Sequence, residues 1–118
     1  MKTFKIEIPI YGCKVLCIFG KAKYARKILK KEISKRKLKN WDFKDCDGLT
    51  LMYNSGLAIM WLRNLPDTPE AKGTLAHEIN HILNFICLHV GLTRDNNGEE
   101  AQCYLVGNIT QQVYKNLV

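Results

Sequence analysis

Five consecutive residues carry the strongest chemical signal in this chain. They are His77-Glu78-Ile79-Asn80-His81, the pattern H-E-x-x-H. Residues four apart on a helix lie on one face about one turn apart, so both imidazoles can address a single ion. Glu78 is rotated by about 100° from His77 at 3.6 residues per turn. It therefore flanks such an ion rather than binding it. From there it can take a proton from a water the ion activates.

A catalytic zinc ion needs a third protein ligand if one position is to stay open. His89 follows on the same segment, about three turns beyond His77 and too far along the axis to share an ion. It reads as a histidine placed at the negative end of a helix dipole. The longer pattern with a third histidine fails, because Asn84 and Cys87 occupy the positions where its glycine and histidine would fall. The stronger candidates are Glu99 and Glu100, which begin the last apolar-periodic segment. A short connection makes that segment antiparallel to the H-E-x-x-H helix and brings its first turn near the helix's C-terminal half. Glu100 is favoured over Glu99. With Glu100 facing inward, Tyr104 falls one turn later on the same face, where its hydroxyl could steady a developing oxyanion. Acids are also favoured at a helix N-terminus for dipole reasons alone.

These residues need a scaffold, and the rest of the pattern supplies one. Residues 3–11 alternate, with Phe4, Ile6, Ile8 and Ile10 on one side, as in a half-buried strand. A turn at Tyr11-Gly12 leads to a second strand over 14–19, ended by Gly20, which points to a hairpin. Residues 21–38 place Ala25, Ile28, Leu29 and Ile33 on one helical stripe. Residues 39–48 read as a loop. Two further strands, 49–53 and 57–63, are joined by Asn54-Ser55-Gly56, whose types tolerate positive φ. Thr68-Pro69-Glu70 is a helix start, with a capping threonine, proline at the first position and an acid after it. That helix should run to Val90 and stop at Gly91. A polar loop over 92–98 precedes a last helix over 99–116. The expected fold class is α+β, with a small, mostly antiparallel sheet of about four strands and about three helices.

The chain has 118 residues, 47% of them hydrophobic, which suits one soluble domain spanning 1–118. Its start alternates polar and apolar residues instead of forming a secretory core, so the expected location is the cytoplasm. Five cysteines without an export signal read as reduced thiols. A thiolate site from Cys13, Cys17 and Cys46 lacks metal-ligand spacing, and these residues read as small apolar fillers. The net charge of +7 is concentrated, because residues 21–39 hold ten basic residues and the single acid Glu32. That segment carries +9 and the remainder −2.

At 48–63, 74–84 and 96–107, about a third of its length, the chain resembles the zincin metallopeptidases whose third ligand is a glutamate. It looks closest to small zincin-like proteins of tailed bacteriophages. The resemblance implies His77, His81 and Glu100 as zinc ligands, Glu78 as general base, a peptide or protein substrate and a phage-encoded origin, with the host cytoplasm as location. Two departures stand out. Larger relatives carry an acid one turn past the glutamate ligand, where this chain has Tyr104, and they have a second subdomain that walls the cleft. The leading expectation is zinc-dependent peptide hydrolysis, with the strand over 57–63 pairing with an extended substrate. The alternatives are a non-catalytic module that keeps zinc for structure and a weak nucleic-acid contact through the basic helix 21–39.

Overall fold

The computed structural model describes residues 1–92 and 98–118. Expectations that fall on residues 93–97, most of the polar loop and the start of the stretch 96–107, lie outside the described residues. The fold is mixed α+β. Strand β1 (Lys2–Ile8) ends in a short 3-10 turn at Pro9–Tyr11, and β2 (Cys13–Phe19) follows. Then come helices α1 (Ala22–Glu32) and α2 (Lys35–Leu38), strands β3 (Gly48–Met52) and β4 (Leu57–Leu62), and helices α3 (Pro69–Val90) and α4 (Glu99–Leu117). The basic segment is thus two helices, which makes four α-helices among the described residues. The break falls at Ile33-Ser34, both extended, where the Ser34 side chain accepts the Lys37 amide and starts a new turn.

The sheet order is β1-β2-β4-β3. Both hairpins are antiparallel, as β1 with β2 and as β3 with β4. They join through a parallel pairing of β2 with β4 that sets Lys14 opposite Leu57 and Phe19 opposite Leu62. Strand β4 is therefore internal and paired on both edges. This corrects the expectation that the strand over 57–63 receives a substrate; the edge strand of that half is β3. The physical reason lies in the side chains. Val15 to Phe19 and Ala58 to Leu62 are all buried, which is the continuous apolar run of strands covered on both faces.

Alternation along these strands makes two cores. Ile6, Val15, Cys17, Met60 and Leu62 face α3 and α4. Leu16, Ile18, Ile59 and Trp61 face α1 and α2, with Trp41 and Phe43 from the loop that follows them. Cys13 and Cys17 belong to the first core, whereas Cys46 packs against the second, so the sheet separates them. Helix α3 packs over β3 and β4, and α4 packs over β1 and against α3. The start of α3 is as the sequence predicts: Thr68 accepts the Ala71 amide at 3.1 Å, and Pro69 is the first helical residue. At its end Gly91 takes φ 72°, a left-handed turn natural to glycine.

Candidate metal centre

Helix α3 turns Leu75, Ile79, Ile82, Leu83 and Ile86 into the core, which fixes the rotation of every other side chain on it. His77 and His81 then fall on its solvent side, and the His77 side chain is 68% exposed. Glu78 lies between these two environments and is only 5% exposed. The two Nε2 atoms stand 3.1 Å apart, with the rings nearly perpendicular at 80°. Two nitrogens bound to one tetrahedral zinc at 2.0–2.1 Å would be about 3.3 Å apart, so the pair is already spaced as two ligands. The nearest Glu78 oxygen, Oε2, is 3.9 Å from His77 Nε2.

The edge strand holds Glu78 in place. The Thr50 hydroxyl donates to Glu78 Oε1 at 2.7 Å, which satisfies one carboxylate oxygen inside the fold. The other oxygen is the one nearer the imidazoles. Two residues earlier on the same strand face, Gly48 admits the helix. A Cβ there would meet Glu78 Cγ and Thr74 Cγ2, each at 3.0 Å. Neither Gly48 nor Thr50 stood out in the sequence, although the small and polar types alternating with Leu49 and Leu51 mark the face that α3 covers.

Among the described residues His77, Glu78 and His81 form a group able to hold a metal ion, with donor atoms all within 4.8 Å of one another. Glu100 is not in this group, and neither is Glu99. Helix α4 buries Gln102, Leu105, Ile109 and Val113, and this stripe sets its rotation. Glu100 is then about 160° around the helix from Gln102. It is exposed and lines an outer hollow with Cys103, Tyr104 and Asn108. Tyr104 shares that outer face and is 73% exposed. The inward orientation expected for Glu100 and Tyr104 does not appear: α4 buries its stripe of Gln102, Leu105, Ile109 and Val113 and leaves these two side chains exposed. His89, in the last turn of α3, is exposed and stacks on Phe85 at 5.5 Å.

No family model, curated protein or solved structure matches this chain.

Proposed function

We propose that this protein is a zinc-dependent hydrolase of peptide bonds, with His77 and His81 as two of the zinc ligands and Glu78 as general base. The observation that carries the reading is the arrangement around Glu78. Two exposed imidazoles are spaced for one ion, and beside them lies a buried carboxylate tethered through its far oxygen. Imidazole nitrogens beside a carboxylate suit zinc among the common divalent ions. When bound, zinc supplies Lewis acidity towards a carbonyl oxygen and makes a water nucleophilic near neutral pH.

The chain's own groups would do the rest. Thr50 holds Glu78 through Oε1 and leaves Oε2 on the side of His77; from there Glu78 would accept a proton from water and pass it to the leaving amine. Strand β3, with no strand paired on its outer edge among the described residues, is the edge beside Glu78 to which an extended peptide can add. A hollow of about 480 Å³, lined by Asp47, Arg63, Glu70 and Thr74, opens one turn before the motif and has room for a substrate side chain. Exposure of the pair favours this reading over a structural ion, because structural zinc sites are closed by four protein ligands.

The test is a pair of variants measured for metal content and for cleavage of an unfolded protein such as casein. Glu78→Gln should retain zinc and lose at least about a hundredfold in cleavage, the scale of a lost general base. His77→Ala should lose both. Undiminished cleavage by Glu78→Gln, or full zinc content in His77→Ala, rejects the assignment.

A further inference from the structure

We propose that the surface formed by α1 and α2 docks on the phosphate backbone of duplex nucleic acid, independently of the metal centre. All ten basic residues of 21–39 are exposed. The apolar side of the segment is used up within the fold: Ala25 and Leu29 are buried against the sheet face opposite α3, with Ile28, Ile33 and Leu38 packed beside them. What remains outward is cationic. Lys23, Lys27 and Lys30, four and three residues apart, form the ridge of α1 roughly opposite Ala25 and Leu29. The one acid, Glu32, is paired with Lys5 of β1 at 3.3 Å. Arg26 lies over the Phe43 ring at 5.2 Å, and Lys37 over Tyr53 at 4.9 Å, so two of the cations rest on the fold itself. Asp42, Asp45 and Asp47 follow in the loop after α2 and are exposed.

The residue types select the partner. Eight of the ten cations are lysines, point charges that meet phosphates without reading bases. A protein partner is disfavoured because lysine is depleted from protein interfaces and this surface offers no aromatic or aliphatic anchor. A lipid surface is disfavoured because α1 and α2 expose no apolar side chain to insert. Single strands bind through exposed rings on which bases stack. Here Tyr24 is half-buried with its hydroxyl bonded to Thr3, and Tyr53 lies beneath Lys37. A duplex presents the backbone charge without requiring stacking.

The experiment is fluorescence anisotropy of a labelled 20-base-pair duplex of arbitrary sequence, titrated with the full chain at 50 to 200 mM salt. If about five phosphates are neutralised, affinity should fall by at least a hundredfold across that range. The triple variant Lys23→Gln, Lys27→Gln, Lys30→Gln removes surface charge only and should melt like the parent. It should bind at least about tenfold more weakly at 50 mM, with a shallower salt dependence. His77→Ala should bind the duplex as the parent does. No duplex binding at 50 mM salt, undiminished binding by the triple variant, or tighter binding to polyglutamate or to phosphatidylserine vesicles than to the duplex would each overturn the proposal.

Discussion

The side chain that organises the metal centre is Glu78, and its behaviour follows from two neighbours on β3. Replacing Thr50 with valine keeps the shape but strands a buried carboxylate oxygen. The expected cost is about 1–3 kcal/mol of stability, read from the urea midpoint, with Thr50→Ser recovering most of it. A Thr50→Val protein as stable as the parent would show that the hydroxyl is not what holds Glu78. Glu100 makes the opposite case. Because it stands on the outer face of α4, Glu100→Ala should leave zinc content unchanged by metal analysis, whereas His81→Ala should abolish it. Loss of zinc in Glu100→Ala would restore it as a ligand. The imidazole pair was legible in the sequence because a spacing of four on one helix needs no knowledge of other elements. Thr50 was not, since the contact joins residues 28 apart along the chain.

At the scale of elements, α3 is the support of the site, and its boundaries are written in local chemistry. Thr68→Ala removes the side-chain acceptor for the Ala71 amide and should destabilise the protein by about 1 kcal/mol, seen as a lower urea midpoint with an unchanged denaturant slope. A midpoint equal to the parent's would mean that the cap contributes nothing. The basic segment shows where element reading fell short. Its lysines and apolar stripe suit one long helix, yet packing Ile33 against the sheet and capping at Ser34 divides it. The sheet order was missed for a related reason. Two hairpins were legible, but their junction through β2 and β4 depends on which faces the helices cover. The unbroken apolar runs at 15–19 and 57–62 were the available sign that both strands are central.

For the whole molecule, the sheet separates two surfaces of different character, the imidazole-bearing side of α3 and the cationic side of α1 and α2. No helix of the described residues is long and apolar enough to cross a membrane. The shared core also sets an alkaline limit on stability. Burial pushes the Cys17 thiol from 9.0 up to about 12, and burial also raises Cys13 and Cys46. The folded state then keeps a proton that the unfolded chain releases. The stability from Cys17 is therefore intact below about pH 9 and lost as pH rises towards 12. Between pH 8 and pH 10.5 the urea midpoint should fall less in Cys17→Ala than in the parent, and equal falls would refute the assignment. In the native protein a thiol reagent should reach exposed Cys103 and spare Cys17 until unfolding.

Local rules were enough for the sequence to determine the α+β class, the limits of α3 and the pairing of His77 with His81, because caps, turns and helical spacing act between near neighbours. Only the tertiary structure decided that β4 is internal with β3 at an edge, that Thr50 and Gly48 cradle Glu78, and that Glu100 and Tyr104 are exposed. Those outcomes depend on how each element is rotated as it buries its apolar stripe against elements distant in the chain.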